Sequence, residues 1–151
     1  MLIEEKFSIK APIKNVWDFL LNPESIGPCI PGCEKIEAIN EKEFLSTVKV
    51  KVGPITVRFK FKTMIEEISP YTYIRTVGGG DELDKKGHFK QQTTIMFNKL
   101  SEEETEVSYR SEISIVGRLA TFGERIMRAK AKELGKEFIN AVKGKLDQML
   151  S

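Results

Sequence analysis

The last third of the chain, Gly117 to Ser151, limits what the rest can be. Leu119, Phe122, Ile126, Leu134, Phe138, Val142, Leu146 and Met149 recur every three or four residues, which places them on one face of a helix. No proline interrupts the run. Gly117 marks its junction with the preceding strand, and Gly123, Gly135 and Gly144 each weaken a helix by about 1 kcal/mol against alanine. Read as a single helix, the stretch is about 50 Å long. An apolar stripe of that length must lie against something extended.

The preceding residues supply such a surface. Residues 2 to 10 alternate, with Ile3, Glu5, Phe7 and Ile9 on one face, and read as a strand. Pro12 suits the first turn of a short helix carrying Val16, Trp17, Phe19 and Leu20, which Asn22-Pro23 stops. Residues 23 to 28 add one more helical turn before a stiff connector, Pro28 to Cys33. Glu34 to Ile39 reads as a strand, and two amphipathic runs, Phe44 to Val52 and Ile55 to Lys62, flank Gly53-Pro54 as a hairpin with one apolar and one cationic face. Further strands follow at Tyr71 to Val77, Phe89 to Phe97 and Val107 to Ile115, and Gly78 to Asp81 reads as a flexible turn. The order is strand, two short helices, six antiparallel strands, long helix. Segregated strands and helices point to an α+β fold, a sheet gripping the final helix.

Composition fits one domain spanning residues 1–151, with 40% hydrophobic and 30% charged residues. The formal net charge of +2 does not by itself point to nucleic acid, and no nucleic-acid partner is expected. From Arg118 onward, however, eight Lys/Arg face four Asp/Glu. That is either a solvated helix face or a docking face for an acidic partner or anionic lipid heads. The N-terminus lacks a signal peptide's pattern and no run approaches a membrane span, so a cytoplasmic protein is expected.

Little in the sequence suggests catalysis. His88, the one histidine, falls on a polar strand face with no evident carboxylate partner. Cys29 and Cys33 with His88 make a poor zinc set, so no metal or other cofactor is expected; a disulfide or two free thiols suits the cysteines better. Gly117 to Gly123 can open a helix whose free N–H groups hold an anion beside Arg118, or simply form a tight junction. Carboxylates fall on outer faces or turns. The inward polar residues are Ser46, Gln91, Thr93, Tyr109 and Ser111, all neutral hydrogen-bonders. They suit either a mostly apolar pocket or a filled core.

Four segments carry a family resemblance: Ala11-Pro12 followed by Val16-Trp17, Ile30-Pro31-Gly32-Cys33-Glu34, Val50 to Ile55, and Gly117 to Arg125. In order and over nearly the whole chain, they resemble the carbon monoxide dehydrogenase CoxG family. That family lies in the START-like (SRPBCC) helix-grip superfamily, with the Bet v 1 allergens and polyketide cyclases. The resemblance implies a seven-stranded antiparallel sheet around a long C-terminal helix, two short helices after the first strand, and a cavity for an apolar ligand. It also implies a molybdenum hydroxylase of the carbon monoxide dehydrogenase type as a partner, quinone carriage and peripheral membrane contact. Longer members continue past the helix into a tail held to aid membrane attachment; this sequence stops at Ser151, which leaves the basic helix face to support that contact.

Three functions follow as expectations. The first is a non-enzymatic carrier of a quinone- or lipid-like molecule. Phe19, Ile30, Phe59, Phe61, Phe89, Ile95, Tyr109, Phe122, Ile126 and Phe138 would line its cavity, with Gln91, Thr93 and Ser111 orienting a polar head. The second is a cyclase- or hydrolase-like enzyme, which requires Tyr109 or an inward carboxylate with a shifted pKa. The third is an adaptor that docks a molybdenum hydroxylase through the basic helix side or the lysine-rich hairpin.

Overall fold

The structure, a computed structural model, describes residues 1–84 and 86–151. Strand β1 (Leu2–Ile9) leads into helices α1 (Ile13–Leu21) and α2 (Pro23–Ile26) and a 3₁₀ turn at Gly27–Cys29. Strands β2 (Cys33–Ala38), β3 (Glu43–Val52), β4 (Ile55–Ser69), β5 (Tyr73–Glu82), β6 (His88–Ser101) and β7 (Glu104–Val116) follow. A 3₁₀ segment, Arg118–Phe122, then precedes helix α3 (Glu124–Leu150). The strands form one sheet in the order β1-β7-β6-β5-β4-β3-β2, and every neighbouring pair is antiparallel. This is the α+β architecture expected from the sequence.

Local chemistry sets the boundaries. Pro12 takes an extended conformation just before α1. The Asn22 side chain accepts a hydrogen bond from the Glu24 N–H at 3.0 Å, which starts α2 with Pro23 in its first turn. Gly53, at φ 57°, closes the two-residue turn between Val52 and Ile55.

Two expectations are corrected and one open choice is settled. The long helix begins at Glu124 rather than Gly117, because Gly123 sits at φ 87°, ψ 161°, which no helix accommodates. Gly78 to Gly80 lie inside β5 rather than in a turn. A Cβ on Gly80 would stand 2.2 Å from the Lys60 carbonyl oxygen and 2.3 Å from the Phe61 Cβ, so the missing side chain lets β5 press against β4. Cys29 and Cys33 are both free thiols, which decides between the two alternatives. Burial pushes both upward from the ordinary thiol range.

Two apolar clusters hold α3 to the sheet. At one end, Ile9, Trp17, Phe97, Val107, Val142 and Leu146 form a solid core, with the Trp17 and Phe97 rings edge-on at 5.0 Å. At the other, Val52, Val57, Phe59, Leu119 and Met127 gather, with Phe61, Phe89 and Phe122 packed against them. Between the clusters lie the polar inward residues of β6 and β7.

Candidate functional site

The register places Phe61, Phe89, Gln91, Thr93, Tyr109 and Ile113 on the side of the sheet that faces α3. Yet each of them is only half-buried. In the solid end the same parity leaves Ile9, Phe97 and Val107 almost wholly covered. The helix therefore seals one end of the bowl and covers its middle less completely, although Ser46, Thr63 and Ser111 there are buried. A packed interior leaves no such accessible surface on inward side chains. Two surface depressions lie elsewhere. One, of about 560 Å³, runs between Lys10, Pro12, Glu104 and Leu150. The other, of about 170 Å³, sits on the outer face by Arg75, Gln92 and Arg110. Both are open and bordered by charged groups, which suits an apolar ligand poorly.

The floor of the hollow is a short polar ladder. Thr93 Oγ1 donates to Gln91 Oε1 at 2.5 Å and lies 2.8 Å from Ser111 Oγ. Gln91 Nε2 donates to Thr76 Oγ1 on the neighbouring strand β5 at 3.4 Å. That reach depends on Gly78, where a Cβ would stand 2.9 Å from Gln91 Nε2. Ser46, on the same face of β3, is buried and its hydroxyl has no partner among the described residues.

Tyr109 bridges floor and roof. Its ring stacks on Phe7 with centroids 6.2 Å apart, and its hydroxyl reaches the backbone of α3 at Gly135. Glu5 sits directly opposite Tyr109 in the β1–β7 pairing, on the same face. Burial raises the Tyr109 pKa, and the Glu5 charge raises it further. Arg128, on α3, donates to the Leu2 carbonyl and to Glu124, which ties the helix to the edge strand.

The open end is plugged by Arg118–Phe122. Gly117, at φ 117°, and Gly123 flank this segment with backbone conformations that favour glycine. Leu119 is buried among Val57, Phe59 and Met127. Arg118 is not free to hold an external anion: its guanidinium lies 3.5 Å from Asp84 and 3.8 Å from Glu82. Glu82 is 2% exposed, and neither of its oxygens has a hydrogen bond among the described residues. Burial raises its pKa most, and Asp84 adds to the rise against the pull of Arg118.

The expected lining set divides accordingly. Gln91, Thr93, Tyr109 and Ser111 come together in the hollow, bordered by Phe61 and Phe89, while Phe59 and Phe122 belong to the plugged end. Phe19 belongs to the solid core, and Ile95 and Phe138 pack against it. Ile30 is half-buried beyond the Gly27–Cys29 turn. Ile126 is corrected: it is 47% exposed, and Met127 takes the inner position at the start of α3. Two inward carboxylates, Glu5 and Glu82, overturn the expectation that acids lie only outside or in turns. Glu5 is visible in the alternation with Ile3, Phe7 and Ile9; Glu82 is hidden when the glycines before it are read as a turn. His88 is on the outer face as expected, but Asp81 Oδ1 lies 2.7 Å from its Nδ1. Among the described residues, no group of three His, Cys, Asp or Glu side chains could hold a metal ion, and no helix is long and apolar enough to cross a membrane.

A sheet curved around a C-terminal helix, with two short helices after β1, is the START-like helix-grip class of protein. Solved structures agree on the fold. A conserved protein from Geobacillus kaustophilus superposes with a TM-score of 0.90 at 19% identity, covering 98% of this chain and 96% of that one. A START superfamily protein from Mycobacterium smegmatis gives 0.76 at 13% identity, covering 98% of each. The Zhui aromatase/cyclase from Streptomyces sp. R1128 gives 0.74 at 14%, covering 100% and 96%. No curated protein sequence matches the chain. The family model for CoxG, a subunit of carbon monoxide dehydrogenase, matches residues 6–147, so the chain belongs to the CoxG family.

Proposed function

We propose that the chain binds an apolar small molecule between α3 and the middle of the sheet and carries it without chemical change. One observation supports this above the others: inward side chains on β6 and β7 keep accessible surface between two packed clusters. Apolar walls with a few neutral hydrogen-bonders fit a molecule that is mostly hydrocarbon with a small polar end, of quinone or lipid kind. Family membership extends the reading to service of a molybdenum hydroxylase of the carbon monoxide dehydrogenase type. Native mass spectrometry of the purified protein, before and after exposure to a lipid extract, tests the carrier. A retained apolar molecule that Ser111→Phe abolishes supports it, and empty protein under both conditions refutes it. The adaptor reading predicts instead that such an enzyme co-purifies equally well with Ser111→Phe.

Glu5 beside Tyr109 favours a second reading, an enzyme with an inward carboxylate and phenol. It predicts that a bound molecule leaves the protein altered. Mass analysis of the released ligand decides between the two.

A further inference from the structure

Charge inside the hollow is one-sided. From the row of Phe97 to the row of Phe59, the side chains that the described strands turn toward α3 carry charge at two positions, Glu5 and Glu82. Both are acids. On α3 there, Met127 is buried and Ala131, Gly135 and Phe138 are half-buried, all uncharged, with Arg128 and Lys130 half-buried beside them. The cations of α3 on this side are engaged at its rim: Arg128 with Leu2 and Glu124, Lys130 with Glu133 at 3.6 Å, and Lys143 over the Phe7 ring at 5.9 Å. Glu5 has no ion pair with any described residue. This contrasts with the whole chain, whose formal charge is +2.

We infer that the hollow rejects anionic amphiphiles and takes neutral or cationic ones, with Glu5 as the residue that sets the preference. The inference rests on the carrier reading and narrows its ligand class. A carboxylate or phosphate head drawn in beside Ser111 and Tyr109 loses its water and finds no cation among the strand side chains that face it, while Glu5 on the adjacent strand repels it. A hydroxyl or carbonyl head loses little there. Ser111, Thr93 and the Tyr109 phenol can each donate to it or accept from it. An ammonium head gains Glu5 as a partner. Free fatty acids and acyl phosphates are thereby excluded as cargo.

The test uses three probes of one chain length, dodecan-1-ol, dodecylammonium and dodecanoate, at pH 8 and below their micelle concentrations. Each displaces a fluorescent apolar dye from the full chain. The alcohol and the ammonium should displace it at concentrations at least tenfold below that of the carboxylate. Glu5→Gln should narrow the ammonium-to-carboxylate ratio at least threefold, mainly by improving the carboxylate. Glu5→Ala should do the same, and Glu4→Gln, on the outer face of the same strand, should leave the ratio alone. Carboxylate binding as tight as that of the ammonium in the unmodified protein overturns this inference while sparing the carrier. So does an unchanged ratio in folded Glu5→Gln. Failure of all three probes and the dye to bind overturns both.

Discussion

The Tyr109 hydroxyl lies where a side chain at Gly135 would begin: a Cβ there would stand 2.3 Å from the oxygen and 3.5 Å from Cζ. The shorter distance is a collision and the longer an ordinary contact. Glycine in mid-helix therefore allows α3 to rest on the phenol. Gly135→Ala in the natural background should yield none of the roughly 1 kcal/mol that alanine normally adds to a helix interior. In Tyr109→Phe, which lacks the oxygen, the same change should stabilise by about that amount. Urea denaturation of the four proteins gives the coupling directly. Equal effects in both backgrounds would mean that helix and phenol do not touch.

The solid and hollow ends should respond oppositely to truncation. Leu146, 1% exposed in the closed core, has neighbours on every side. Leu146→Ala should cost about 2–5 kcal/mol and leave dye binding intact in the folded fraction. Phe89 is only half-buried, 5.7 Å from the Phe61 ring and 6.0 Å from that of Phe59. Phe89→Ala should cost only about 1–2 kcal/mol, because part of its ring already faces accessible space. It should weaken dye binding severalfold. Denaturation and dye titration on both variants check the contrast.

Alternation in the sequence is enough to place the strands, because residues such as Val57, Phe59 and Phe61 have one buried side and one wet side. It fails where backbone contact rather than side-chain burial decides structure. Gly78 to Gly80 look like a turn until the close approach of Lys60 and Phe61 is known, and that approach is a property of the curved sheet. The 3.6-residue period carries Leu119 and Phe122 into the helix, although both are apolar because they plug the open end. The period is also broad enough to admit Ile126, which the axis of α3 turns outward in favour of Met127. Glu5 shares its face with Ile3 and Phe7 in the alternation itself; only the β1–β7 register shows that it stands against Tyr109.

The plug depends on its flanking glycines. Gly123 has open space around its Cα, so a methyl group there meets no neighbour. Its φ of 87° and ψ of 161° nevertheless lie in a region that is essentially glycine's alone. Gly123→Ala should cost about 1–3 kcal/mol through backbone strain. Gly144→Ala, also without neighbours but inside the helix, should stabilise by about 1 kcal/mol. Thermal unfolding of the pair separates strain from sterics: equal shifts in Tm would remove the argument for a forced junction at Gly123.

Glu82 should make stability rise on mild acidification. Its folded pKa is raised, chiefly by burial and then by Asp84, while Arg118 and Lys86 pull the other way without prevailing. The folded chain thus takes up this proton at a higher pH than the unfolded chain. Between the raised folded value and the ordinary carboxylate range the native state holds the extra proton, so stability grows as pH falls through that window. Asp84 acts in reverse. The Lys86 N–H holds its carboxylate low, with Glu82 and Arg118 contributing, so its share of stability persists above the ordinary aspartate range and is lost as pH falls below it. Glu82→Gln should remove the first effect and keep most of the second. Relative to the unmodified protein, the variant should be more stable at pH 8, and the difference should shrink steadily toward pH 5. Urea denaturation at half-unit pH steps measures it. A difference that is flat across this range, or that grows on acidification, would place an ionised and well-paired Glu82 beneath the plug instead.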